Sequence, residues 1–131
     1  SITTAPGVTQ SFTGTFSDPD GWQNLTDATF YIQGGGHDQW LHYKTVTNSF
    51  TLAGTVGSCT AGQAATLSNG FLILNCNAST YSGSGNALTV TVSLTPQSSF
   101  SGFQYRLFIV AYDRTGNSNG MLAGNWTIKL S

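Results

Sequence analysis

Leu88-Thr89-Val90-Thr91-Val92-Ser93-Leu94-Thr95 alternates without a break between aliphatic and hydroxyl side chains. Successive residues of a strand point to opposite faces, so Leu88, Val90, Val92 and Leu94 enter a core while the hydroxyls face water. One buried and one wet face mark an antiparallel sheet. The same period occurs upstream from Val8 to Phe16, with Phe12, Gly14 and Phe16 on one face and Thr13 and Thr15 on the other. It occurs again in Ala28-Thr29-Phe30-Tyr31-Ile32-Gln33, whose core face is Ala28, Phe30 and Ile32. Between these two runs lies Phe16-Ser17-Asp18-Pro19-Asp20-Gly21-Trp22-Gln23-Asn24-Leu25, a loop with Pro and Gly at turn positions.

Outward from these strands the chain keeps the same grammar. Ser1 to Gly7 reads as an edge strand or linker, since Pro6 cannot donate to a ladder, and residues 8–131 read as one domain. Gly34-Gly35-Gly36-His37-Asp38 is a turn, because glycine adopts the positive φ that other residues resist. Trp40 to Thr47 and Phe50 to Leu52 form two short strands around Thr47-Asn48-Ser49, and Asn69-Gly70 is a hairpin signal before Phe71-Leu72-Ile73-Leu74. Residues 53–68 carry no clear period. Tyr81-Ser82-Gly83-Ser84-Gly85-Asn86 reads as a loop. Gln104 to Tyr112 is apolar on both faces apart from Arg106, which predicts a central strand covered from both sides. Trp126, Ile128 and Leu130 mark the last strand.

Composition narrows the class further. At 131 residues the chain is long enough for a core without staples. Only 7% of residues are charged and every acid is Asp, while Thr, Ser, Asn and Gly abound, which opposes helix and favours strands and tight turns. The 12% aromatic share and net charge of −1 argue against disorder. Lys44, Arg106, Arg114 and Lys129 are scattered singly, so no nucleic-acid surface is expected. No apolar run approaches the ~20 residues of a membrane span, and no signal-peptide pattern opens the chain. Membrane insertion is not expected, and an uncharged, hydroxyl-rich surface fits an extracellular or cell-surface location. The fold expected is all-β: an immunoglobulin-like antiparallel β-sandwich of seven to nine strands.

Four motifs carry a resemblance. Ser17-Asp18-Pro19-Asp20-Gly21-Trp22-Gln23, Ser84-Gly85-Asn86-Ala87-Leu88-Thr89-Val90, Ala111-Tyr112-Asp113-Arg114-Thr115-Gly116-Asn117 and Gly124-Asn125-Trp126-Thr127-Ile128 occur in that order. The chain resembles the immunoglobulin-like, fibronectin type III-like modules of large extracellular bacterial proteins. The resemblance implies a sandwich used as a surface spacer or adhesive module. Such modules often carry one Cys where this chain has Trp40-Leu41 and another near Leu72, so that disulfide does not transfer.

The resemblance's strand order would put Asp18 and Asp20 at the same pole as Asp113, Asn117 and Asn119. Carboxylates brought together repel unless a cation neutralises them, and Ca²⁺ takes six to eight oxygen ligands of the kinds these loops supply. The other reading is an ordinary Asx turn at Asp18 with Asp113 paired to an arginine. Cys59 and Cys76 flank the Asn69-Gly70 hairpin, and an even cysteine count in an extracellular chain points to a disulfide, against two buried thiols. His37, Asp38 and His42 form the only imidazole cluster, but no nucleophile elbow accompanies them and a solvated turn is expected. Trp22 and Trp40 are candidate ligand aromatics for a sugar face, whereas Trp126 falls on the core face. A cross-link through Lys44 or Lys129 would need a buried lysine beside a carboxylate in a core strand, and none is evident. Asn24, Asn77 and Asn125 stand in Asn-x-Ser/Thr sequons.

The expected function is therefore a non-enzymatic structural module, a building block of a fibre, stalk or adhesin assembled from copies of itself. In it the N-terminal segment lends a strand to a neighbour's open edge and calcium stiffens the acidic pole. The alternative is a carbohydrate-binding module of a secreted protein, with polysaccharide as partner.

Overall fold

A computed structural model of the chain describes residues 2–55, 57–114 and 118–128. They form twelve strands: β1 (Ile2–Thr4), β2 (Gln10–Ser17), β3 (Leu25–Gln33), β4 (Gln39–Lys44), β5 (Ser49–Leu52), β6 (Cys59–Thr60), β7 (Thr66–Ser68), β8 (Leu72–Asn75), β9 (Thr80–Ser84), β10 (Ala87–Pro96), β11 (Phe103–Asp113) and β12 (Ser118–Ile128). One sheet runs β1-β12-β11-β3-β4-β5-β6 and the other β2-β10-β8-β7, with β9 also paired to β10. Every pairing is antiparallel except β1 with β12. The all-β sandwich expected from the alternation is the fold. Its strand count exceeds the seven to nine read from the sequence because Cys59–Thr60, Thr66–Ser68 and Thr80–Ser84 add short pairings.

The alternation works as its chemistry requires. In β10, Leu88, Val90, Val92 and Leu94 are fully buried, and in β2, Phe12 and Phe16 turn inward against them. The inner face of the larger sheet supplies Ala28, Phe30, Ile32, Leu41, Tyr43, Tyr105, Leu107, Ile109 and Trp126. Burying a large apolar side chain contributes about 1.5–3 kcal/mol, so this joint core holds the two sheets together. Its polar atoms are satisfied from within. The Tyr105 hydroxyl donates to the Phe100 carbonyl at 2.8 Å, and burial pushes that phenol up to about 12. The fully buried Trp126 indole donates to Thr4 Oγ1 at 2.9 Å, which fastens β1 to the edge of β12.

Two local expectations are corrected. Tyr81–Asn86 is not simply a loop: Thr80–Ser84 pairs with β10, and only Gly85-Asn86 turns. The run has little apolar alternation because Trp22, from another segment, supplies the cover over Gly83. Nor is β11 covered from both sides. Tyr105, Leu107, Ile109 and Ala111 are buried, whereas Arg106 and Tyr112 on the other face are exposed and Phe108 and Val110 half-buried. Phe108 finds its partner on its own sheet, against Tyr31.

Candidate functional site

The acidic loop is a tightly bonded turn. Asp18 is buried, and its Oδ1 accepts the Asp20 amide at 2.8 Å while its Oδ2 accepts the Asn24 side-chain amide at 3.1 Å. Its own N–H donates to the Asn86 carbonyl, and the Trp22 N–H donates to the Gly85 carbonyl. The loop thus rests on the β9–β10 turn. Asp113 stands opposite Leu25 in the β11–β3 ladder, and the Arg114 N–H donates to the Asn24 carbonyl at 3.0 Å. Asp18 and Asp113 therefore share one pole. Asp20 is exposed there. Asn117 lies outside the described residues, and Asn119 is placed by its backbone opposite Ala111. Among the described residues, no three His, Cys, Asp or Glu side chains are grouped to hold a metal.

The histidines are occupied separately. β3 leads from the acidic pole to the Gly34–Asp38 turn at the other end, where His37 stacks on Phe71 with ring centroids 4.5 Å apart. Asp38 accepts the Tyr31 hydroxyl at 2.8 Å and the Gly34 amide at 3.1 Å, and the Tyr31 phenol is raised by that bond. His42 belongs to a different cluster, on the outer face of β3 and β4. There Asp27 faces Lys44 and Thr29 faces His42 across the ladder. Asp27 Oδ2 receives Lys44 Nζ at 2.7 Å, and its Oδ1 lies 2.9 Å from Thr29 Oγ1 and 3.2 Å from His42 Nδ1. Burial pushes the Asp27 carboxyl up, but the bonds from His42, Lys44 and Thr29 outweigh it and hold the group at about 2.

This arrangement resembles a catalytic relay in composition but not in geometry. A relay needs the nucleophile on one ring nitrogen and the orienting acid on the other. Here Thr29 and Asp27 both meet Nδ1, and the Thr29 hydroxyl donates to the carboxylate instead of to the imidazole. Sequence reasoning missed Asp27 and Thr29 as a cluster. Their outward parity was visible, but their partners depend on the β3–β4 register. Asp27 is also the carboxylate beside Lys44 that the cross-link reading lacked. However, the Lys44 side chain is half exposed, so it is neither buried nor desolvated as that chemistry demands. Lys129 lies outside the described residues.

The candidate ligand aromatics do not share a surface. Trp22 is half-buried over Gly83, with Tyr81 at 5.9 Å. Trp40 stands 41% exposed on the outer face of the larger sheet. There it forms a row with Tyr31 and Phe108, with centroids 4.9 and 5.8 Å apart and planes inclined by 14° and 25°. Rings this close and this parallel overlap face to face. They stand as cross-strand stacks and spend their faces on each other, which is not a flat platform for sugar. Sequence reasoning missed Tyr31 and Phe108, whose contact also depends on register.

The flanks of the sandwich form the remaining candidate site. Cys59 and Cys76 are joined in a disulfide with Cα atoms 6.3 Å apart, tying β6 to the end of β8. At the opposite flank, among the described residues, β2 pairs only with β10, and β12 meets β1 only at Trp126–Ile128. Neither Gln10–Ser17 nor Ser118–Ile128 contains a charged residue. Natural sheets protect open edges with charges, prolines, bulges or short strands. β12 has a register shift opposite Leu107/Phe108, while β2 has none of these devices. No protein-family model matches the chain, and no curated protein matches it either.

Proposed function

We propose that this chain is a non-enzymatic extracellular structural module, of immunoglobulin-like or fibronectin type III-like type, that builds a fibre, stalk or adhesin from repeated copies. The observation that supports it is the open flank. On one side the smaller sheet ends in the long, charge-free β2, and in the larger sheet β1 pairs with only three residues of the long, charge-free β12; such edges are templates for pairing with another chain. The Cys59–Cys76 disulfide is compatible with an oxidising, extracellular location. In this reading calcium at the acidic pole of Asp18, Asp20, Asp113, Asn117 and Asn119 would stiffen the end where one module meets the next.

Electron microscopy and sedimentation across a concentration series test the reading, in calcium and in chelator. Ordered oligomers or filaments are expected at high concentration, and monomers throughout would overturn it. A melting temperature that is equal in calcium and chelator would remove the ion and leave the assembly standing. Trp40, the exposed end of the ring row, is the foothold this row offers a polysaccharide ligand. Retention on polysaccharide that Trp40→Ala abolishes would replace the structural reading with the binding one.

A further inference from the structure

We propose that β2 is a self-pairing edge, through which two copies join antiparallel about a two-fold axis at Gly14. The proposal rests on the reading that copies assemble through the open flank, and it names the strand and the register. Ser11-Phe12-Thr13-Gly14-Thr15-Phe16-Ser17 reads the same in both directions. An isologous contact requires one patch to complement itself, residue against symmetry-related residue. Pairing this strand with its own copy puts Ser11 opposite Ser17, Phe12 opposite Phe16, Thr13 opposite Thr15, and Gly14 opposite Gly14.

Residues directly opposite in an antiparallel pair point to the same face, so each face of the joined sheet meets its own kind. The buried Phe12 and Phe16 extend the core side of one copy into that of the other. On the wet side, Thr13 and Thr15 already bond to Thr91 and Thr89 across the β2–β10 ladder, at 3.0 and 3.4 Å. The joined sheet repeats the same Thr–Thr pairing across the axis. A slip by one residue would set Phe against Thr and bring core side chains to the wet face, so the register is specified. The outward edge of β2 is available for this. Among the described residues no strand pairs with it, and its register with β10 is uninterrupted from Gln10 to Ser17.

The test uses the full chain with Thr13→Cys and Thr15→Cys made separately. Both positions are exposed and on the wet face, and the native cysteines are already paired. Under mild oxidation the mixture of the two variants should give disulfide-linked dimer in several-fold higher yield than either variant alone, because Thr13 faces Thr15 and neither faces itself. In parallel, Thr13→Lys/Thr15→Lys should keep the melting profile and remove the dimer in sedimentation. Equal cross-linking by the single variants, or a dimer that survives both lysines, would overturn β2 pairing. Ordered assembly with no β2 cross-link would overturn it while leaving the copy-assembly reading intact, and monomers at every concentration would overturn both.

Discussion

On one flank the sheets end in Cys59–Thr60, Thr66–Ser68 and Thr80–Ser84, the first two bordering a disulfide and the third lying under Trp22. On the other they end in strands of eight and eleven residues, with β1 covering only three residues of one of them. Both flanks face the same difficulty, a row of unpaired backbone groups. The first limits it by shortness and a covalent tie, with Trp22 packed over the face of its third strand. The second leaves the outward edge of β2 unpaired among the described residues, and β2 carries hydroxyls where charges would otherwise stand. The difference is sharpest between the disulfide-tied short strands and β2, whose eight residues carry no charge, proline or bulge, and it is on β2 that the proposed pairing is placed.

Breaking the closed flank should give the largest effect. Reduction, or Cys59→Ser with Cys76→Ser, opens a loop whose closure contributes roughly 3 kcal/mol. Urea unfolding with and without reductant reads this loss directly. Because β5 and β8 both border the disulfide, the loss should come with a second edge becoming available, and the reduced chain should aggregate where the oxidised chain forms discrete species. An unchanged midpoint under reduction would mean that shortness alone protects this flank.

Gly83→Ala should come next. A Cβ at that position would lie 2.1 Å from Trp22 Cε2, so the indole must leave its seat on β9. Overpacking of this kind costs about 1–3 kcal/mol. Trp22 fluorescence should shift to the red as the ring enters water, and β9 amides should lose protection in hydrogen exchange. A variant with wild-type fluorescence would show that the indole does not seat on the face of β9.

These features differ in how far the sequence reveals them. Leu88 to Leu94 is legible because burial in a strand is written in its own alternation, and β2, β3 and the Asn69-Gly70 hairpin are legible for the same reason. The cover of β9 is not, because Trp22 is nearly sixty residues away and Thr80–Ser84 has no apolar face of its own. Gln104 to Tyr112 misleads in the opposite sense. Phe108 looks like a second core face, but it stacks on Tyr31 at the surface. Asp27, His42 and Lys44 meet only because the Gly34–Asp38 turn sets Asp27 against Lys44 and Thr29 against His42. The acidic pole was half legible. The loop was evident as a turn, whereas its seat on Gly85 and Asn86 is a tertiary fact.

The smallest effect sharpens the comparison by lying on neither flank. Asp27 sits mid-face on the larger sheet, and its carboxyl is held at about 2, below its ordinary 3.8. A group whose folded value is depressed stabilises the fold fully above its ordinary value and loses that contribution as pH falls toward the folded one. Solvent screens the pair with Lys44, whose ammonium is half exposed, so the contribution is on the order of 1–2 kcal/mol. Asp27→Asn should therefore lower neutral-pH stability by that amount. The gap from the wild type should close as pH falls from about 4 to about 2, where the native carboxylate is itself protonated. A gap that stayed constant across that range would assign the loss to packing instead of charge. The same variant should leave the proposed β2 dimer unchanged, because no residue of β2 or β12 touches the cluster through any bond that forms it. Stability lost without loss of assembly, set beside assembly lost without loss of stability in Thr13→Lys/Thr15→Lys, would separate a stabilising sheet face from the proposed assembly edge.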